Sequence, residues 1–554
     1  MEEMMKIMVM GEEKEIEKGT TYEELAQKFQ HQFQCRIIVA KQDNRFRELM
    51  SPIQQKGDIE FFDLTDLDGM RVYTRGVCFL MVKVVKELLG EKALVVIEHS
   101  IHKSYYCEIR EPGFAMNQEF LDQVNARMQE VVAEDLPIQK WTFSRERVSE
   151  LLDRFNMQDK KRLLRYRRPS TVNIYELDGF YDYFYGYMPP STGYLKEFDL
   201  MLYENGFLIR FPNRKNPKEI LPFTDPAKIS GVFMEQMKWC ALMGVDNVAD
   251  LNEVISNEKF GDLVRINEAL HEKKIAEIAD MIYQRTENVK VVLIAGPSSS
   301  GKTTFANRLC VQLRVMGVMP HTISLDDYFV NRDEIPLDEL GKKDFESIER
   351  LDLKQFNSDL KRLIQGELVE LPFYNFITGK REYNGNFHQL KKGEIFVIEG
   401  IHGLNDMLTA SIPNKNKFKI FISAMTQLNM DEHNHISTVD SRLIRRIVRD
   451  HQFRGRDAAG TLETWCYVTR GEERNIFPFQ ENADVVFNSA TIYELSVLKQ
   501  YIEPLLFKID KTMPEYTDAK RLIKFLDYFL GTNADAIPNN SIIREFVGGS
   551  CFQV

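Results

Sequence analysis

The sequence predicts a multidomain chain of α/β and α+β units: a small β-grasp domain, an α+β region, a nucleotide-binding domain on a mostly parallel sheet, and a helical C-terminal extension. Three observations carry this. At 554 residues the chain is too long for one core, given about 150 residues per domain. The apolar run Val291-Val292-Leu293-Ile294-Ala295 reads as a buried parallel strand. It leads into Gly296-Pro297-Ser298-Ser299-Ser300-Gly301-Lys302-Thr303, after which Phe305, Leu309, Leu313 and Met316 recur at helical spacing until Gly317. Two further apolar runs, Thr322–Leu325 and Ile395–Ile398, end in acids, as strands of the same sheet would.

The elements follow in order. In residues 1–63, a hairpin is expected at Lys6–Met10 and around Lys14–Ile16. Thr21 and Glu24 then make a capping-box pair for a helix through Phe29, and Arg36–Lys41 and Ile59–Leu64 supply strands. Residues 64–225 mix helices such as Val77–Leu89 with strands such as Phe207–Phe211. Residues 226–288 read as a helical connector, 289–490 as the nucleotide domain, and 491–554 as the helical extension.

Charged residues at 28% and apolar ones at 44% describe an ordinary soluble protein, and no apolar run approaches bilayer length. The acidic start, Met1-Glu2-Glu3, leads into no signal-type stretch. Seven cysteines without paired spacing point to a reducing cytoplasm rather than a disulfide or zinc framework. A net charge of −11 argues against whole-surface attraction to nucleic acid.

The motif at 296–303 fits G-x-x-x-x-G-K-[ST], whose backbone N–H groups wrap nucleotide phosphates at a helix N-terminus. Gly296, Ser298, Ser299, Ser300, Gly301, Lys302, Thr303 and Thr304 are the expected phosphate contacts. Lys302 reaches the β/γ-phosphates and the Thr303 hydroxyl ligates Mg2+. Asp326 and Asp327 stand at the C-terminal end of the next strand, where open α/β sheets bind ligands. A carboxylate there can take the proton of an attacking hydroxyl, although an Asp-Asp pair also serves as a turn or cap. Glu399, ending the third strand, falls near Mg2+, contacting it through water. Arg442, Arg445, Arg446 and Arg449 share one helical face, followed by Arg454 and Arg456, with Asp450 the single acid among them. Such a stripe calls for an anionic partner, and guanidinium forks over a transferring phosphoryl group would stabilise its charge.

In this order the motifs resemble the uridine kinase/phosphoribulokinase family of P-loop kinases, most closely its uridine–cytidine kinase branch. The matching pieces are 296–303, Ser324-Leu325-Asp326-Asp327-Tyr328-Phe329, Pro372-Phe373-Tyr374-Asn375-Phe376, Ile398-Glu399-Gly400, and Arg445–Asp450 followed by Arg454-Gly455-Arg456-Asp457. The resemblance implies ATP as donor, with GTP as the alternative, and Mg2+. It implies Asp326 as the base for a nucleoside 5′-hydroxyl, Tyr374 along the base pocket, Glu346 on the ribose, and Arg446, Arg449, Arg454 and Arg456 on lid and phosphates. It also departs from the family. The stretch Ile377-Thr378-Gly379-Lys380-Arg381 lacks the His that contacts a pyrimidine, and Ala458-Ala459-Gly460-Thr461 lacks a polar lid residue. A sugar phosphate or another small alcohol therefore stands as an alternative acceptor.

Residues 1–63 resemble a TGS domain, and 64 to about 215 the second additional domain of threonyl-tRNA synthetases, traced by Pro190-Ser191-Thr192-Gly193. The four positions matching that domain's metal ligands are Arg75, Phe79, Phe184 and Met188, so editing chemistry is not expected and a docking scaffold is. Two features could meet RNA: the basic run Lys160, Lys161, Arg162, Arg165, Arg167 and Arg168, and the alternating Tyr181, Tyr183, Tyr185 and Tyr187. A nucleotide-gated RNA- or ribosome-binding regulator is thus a competing reading. The expected partners are a small-molecule acceptor and further copies of the chain, with no membrane.

Overall fold

The computed structural model describes residues 4–337, 341, 343–375, 378–426 and 428–553. Phe376 and Ile377, two of the motif positions above, and Met1–Glu3 lie outside the described residues.

The first unit is a five-stranded sheet in the order Glu12–Glu17, Met4–Val9, Asp58–Phe62, Val39–Gln42, Arg45–Glu48. Met5, Ile7 and Val9 alternate inward, and the helix Tyr22–Phe29 begins at the Thr21/Glu24 capping box. Arg45–Glu48 was not expected from sequence. It folds back across Asp43 and Asn44, at φ 49° and 57°, the left-handed pair of a tight hairpin turn.

Next comes a long helix, Leu67–Leu89, buried through most of its length between the β-grasp unit and an antiparallel sheet of Asp199–Tyr203, Gly206–Arg210, Ser104–Ile109 and Val95–Ile101. A three-stranded sheet, Phe180–Asp182, Thr171–Leu177 and Gln139–Ser144, lies alongside. The four positions that match metal ligands are filled by packing. Phe79 and Phe184 meet edge to face at 5.5 Å, Met188 is buried, and Arg75 donates to Tyr187 O at 2.6 Å.

The tyrosine series does not form a stacking platform. The strand ends at Asp182, so Tyr183 and Tyr185 turn onto Tyr528 and Phe525, and Tyr187 onto Phe46. In the basic run, Lys160 is buried against Asp182, Arg162 pairs with Asp250 at 2.6 Å, Lys161 pairs with Asp153 at 2.6 Å, and Arg167 covers Tyr528.

Three helices, Ala227–Met243, Val248–Ser256 and Phe260–Tyr283, lead to the second half. Its sheet has five strands, β1 (Val291–Ala295), β2 (Met319–Ser324), β3 (Glu394–Glu399), β4 (Lys417–Ser423) and β5 (Val485–Asn488), in the order β2-β3-β1-β4-β5. Every pairing is parallel, and all residues of central β1 are buried, as helices on both faces require. The helices that matter for the site are α1 (Lys302–Val315), α2 (Thr438–Phe453) and α3 (Ala458–Asn475).

The front half grips the segment entering α2. Ile97 N donates to Glu432 O at 2.7 Å, Glu432 N to Asp159 at 2.6 Å, and buried Asp182 sits between Lys160 and His433. Asp440, in the first turn of α2, takes two hydrogen bonds from Arg521, and Arg71 stands 3.8 Å away. Three segments distant in sequence thus fix where α2 begins.

Candidate active site

The loop between β1 and α1 is shaped by close backbone approaches. A Cβ on Gly296 would sit 1.9 Å from Ile422 O, and Gly301 adopts φ +82°, so both positions need glycine. Ser299 is also left-handed, at φ 61°. The buried hydroxyls of Ser299 and Ser300 have no hydrogen-bond partner among the described residues. Lys302 Nζ donates to Gly296 O at 3.0 Å and Pro297 O at 3.2 Å. Its pKa is lowered by burial, against which the Glu399, Asp326 and Glu545 carboxylates pull upward.

β2 delivers the aspartates into a short 3-10 turn, Leu325–Tyr328, capped by the Ser324 hydroxyl on Asp326 N at 3.3 Å. The two acids divide. Asp327 accepts from Tyr374 N at 3.1 Å and docks the Phe373–Asn375 strand. Asp326 lies within electrostatic reach of Lys302, Glu399 and Arg350. Glu399, at the end of β3, is pushed up to about 7 by burial, opposed chiefly by Lys302. Glu346 is likewise pushed up to about 7 by burial, opposed by Arg446, and its Cβ lies against Gly471. Tyr374 is fully buried, edge to face with Phe329 at 5.6 Å. Arg350, which no local motif marks, stacks 3.5 Å over Phe329 and faces Asp326 and Glu346.

The arginine stripe splits into two pairs, which corrects the single-face lid. Arg442 and Arg445 are buried. Arg442 makes a bidentate pair with Glu472 at 2.6 and 2.8 Å, and Arg445 one with Glu494 at 2.6 and 3.0 Å. Each also donates to a loop carbonyl, Ser298 O at 3.2 Å and Ser299 O at 3.3 Å. They brace the loop. The acids they needed lie 30 and 49 residues downstream, outside any local pattern. Arg446 and Arg449 remain at the mouth: Arg446 donates to Ser298 Oγ at 2.8 Å, and both lean on Asp450 at 3.3 Å. Burial and the neighbouring Arg454 and Arg446 depress the Arg449 pKa to about 10, a guanidinium crowded by like charge that shares Asp450 with Arg446 and Arg454. Arg454 is exposed and Arg456 half-buried just beyond.

This donor set fits a nucleoside triphosphate with Mg2+. The two orphaned serine hydroxyls, the glycine cradle, Lys302 and the crowded Arg446/Arg449 pair call for a polyanion. Thr303 and Glu399 carry oxygens of the kind Mg2+ prefers and would be the residues to hold it.

Comparison with known proteins agrees with that geometry. Residues 291–496 match the Phosphoribulokinase / Uridine kinase family. This stretch of the chain is a domain of that family. The uridine kinase of Borrelia hermsii is 29% identical over 217 residues, 38% of this chain and 93% of that protein. Uridine kinase-like protein 4 of Arabidopsis thaliana is 26% identical over 248 residues, 44% of this chain and 48% of that protein. The N-terminal half is similar instead to threonine–tRNA ligases. The one from Syntrophotalea carbinolica is 28% identical over 190 residues, 34% of this chain and 30% of that protein. The chain thus spans less than half the length of the first relatives it matches. Among solved structures, a possible uridine kinase from Bacillus stearothermophilus covers 39% of this chain and 98% of its own at 21% identity, with a TM-score of 0.28.

Proposed function

We propose that this protein is an ATP-dependent kinase, with GTP as the alternative donor, that phosphorylates the 5′-hydroxyl of a nucleoside or a closely related neutral alcohol. The observation that carries it is the convergence of Lys302, Asp326, Glu399 and Arg449 on the mouth of the phosphate loop, at the C-terminal ends of β2 and β3. Similarity to a uridine kinase across 93% of the Borrelia protein supports the same reading.

Asp326 accepts the acceptor's hydroxyl proton as the new O–P bond forms, and the bond to the β-phosphate oxygen breaks to leave the nucleoside diphosphate. Lys302 and the loop amides hold the β/γ-phosphates, while Arg446 and Arg449 stabilise charge spreading over the transferred group. Thr303 and Glu399 would hold Mg2+, which would screen the charge of the phosphates. Arg454 and Arg456 close the outer edge. Tyr374 and Glu346 shape the acceptor side.

That side sets two carboxyl groups, Asp326 and Glu346, near the Arg350 guanidinium, with Arg446 also acting on Glu346. A nucleoside ranks above a sugar phosphate as acceptor on the similarity to uridine kinases. The test is incubation of the full chain with ATP and Mg2+ against nucleosides and sugar phosphates, with products identified by mass. A nucleoside monophosphate is expected. Phosphorylation of sugar phosphates alone would overturn the acceptor assignment, and absence of any product the kinase itself. The front half serves in this reading as the scaffold that seats α2.

A further inference from the structure

The end of the chain returns to the phosphate loop. Ile542, Ile543 and Phe546 are fully buried. A Cβ on Gly301 would meet Ile542 Cγ2 at 2.5 Å, and Phe546 lies 5.0 Å from the Arg445 guanidinium. Between these anchors Glu545 reaches the first turn of α1. Its Oε2 accepts from Thr304 Oγ1 at 2.8 Å and from Thr304 N at 3.3 Å. Among the described residues those are the carboxylate's only hydrogen bonds and no Lys, Arg or His pairs with it, and Glu545 is 6% exposed.

A buried carboxylate without a cation is unfavourable unless a local field offsets it. Here that field is the positive end of α1, with Lys302 and Arg449 within electrostatic reach. A nucleotide phosphate uses the same field and the same first-turn N–H groups. Glu472 makes an instructive contrast. It too accepts from a loop amide, Ser298 N at 2.9 Å, but its bidentate pair with Arg442 commits it permanently. Glu545 has no such tie. It has every reason to be solvated once displaced, and Gly548 and Gly549, at φ +87° and +74°, follow at once.

We infer that residues 541–547 are a displaceable plug of the donor site, in which the Glu545 carboxylate occupies the phosphate position on Thr304 and must leave before a nucleoside triphosphate binds. The inference rests on the triphosphate-binding reading above and adds its regulation. The plug makes nucleotide affinity depend on where residues 541–547 sit, so whatever draws that segment away activates the enzyme.

The test is calorimetric titration of the full chain with ATP and Mg2+, and with a non-hydrolysable ATP analogue. Glu545→Gln keeps the shape and removes the charge; it should tighten binding by about tenfold or more. Ile542→Ala thins an anchor, leaves the carboxylate, and should shift affinity in the same direction. Hydrogen exchange on the unaltered protein needs no variant: adding ATP should raise exchange across 541–547. Measurable wild-type binding with unchanged or weaker binding in both variants, or protection of 541–547 by ATP, overturns the plug alone. No binding by wild type or variants at millimolar ATP overturns the donor site and the plug together.

Discussion

Replacing Arg442 by Leu separates bracing arginines from ligand-facing ones. Both members of the Arg442–Glu472 pair are at 1% exposure or less, and the guanidinium makes two bonds to Glu472 and a third to Ser298 O. Leu fills part of the volume but strands the Glu472 carboxylate in the core. Removing one partner of such a pair costs about 3–5 kcal/mol. For a domain of this size, roughly 2–4 °C per kcal/mol lowers the melting of the kinase half by roughly 6–20 °C. Arg442→Leu combined with Glu472→Leu removes both charges and should recover most of that loss. Differential scanning calorimetry of the full chain reads the cycle. Arg449→Met, at the mouth, should leave that transition in place and lower kcat by about 10²–10³. An Arg442→Leu protein that melts like wild type but no longer binds ATP would place Arg442 on the ligand and refute the division.

Two further outcomes follow from the same geometry. Burial raises Glu399 to about 7, so in the folded protein a proton competes with Mg2+ there. The apparent KM for Mg2+ should therefore rise as pH falls below about 7 and flatten above it; the folded state holds this proton more tightly than the unfolded one, so the group costs stability as pH climbs from 4.5 to about 7. A Mg2+ KM that ignores pH contradicts the assignment of Glu399 to the metal. Asp182→Asn removes the nearer buried carboxylate from Lys160 and the carboxylate beside His433, leaving Asp431 at 3.7 Å, and should cost up to about 3–5 kcal/mol. It should also uncouple the halves into two melting transitions, and one unshifted transition would show that the front half does not hold α2.

Local pattern carried much of the architecture. The apolar run of β1, the glycine-framed loop and the helical spacing after it are short-range signals, and so is the Thr21/Glu24 cap. The loop's candidate phosphate contacts form a legible motif for the same reason: they are contiguous. What escaped is what depends on contacts across the chain. Arg442 and Arg445 read as unpaired because Glu472 and Glu494 come from α3 and the helix beyond β5. Glu545 is 241 residues from Thr304. The tyrosine alternation looked like one strand face because spacing cannot show that the strand stops at Asp182. Arg350 had no motif of its own and became visible only when Phe329 and Phe345 packed around it.

The central claim is that Asp326 takes a proton from an acceptor hydroxyl while the loop holds the donor. Asp326→Asn tests it most directly, with ATP affinity by calorimetry and turnover by product mass measured on the same preparation. The account predicts ATP binding within about threefold of wild type and transfer reduced by about 10²–10⁴. An Asp326→Asn enzyme that phosphorylates its acceptor at the wild-type rate would contradict it.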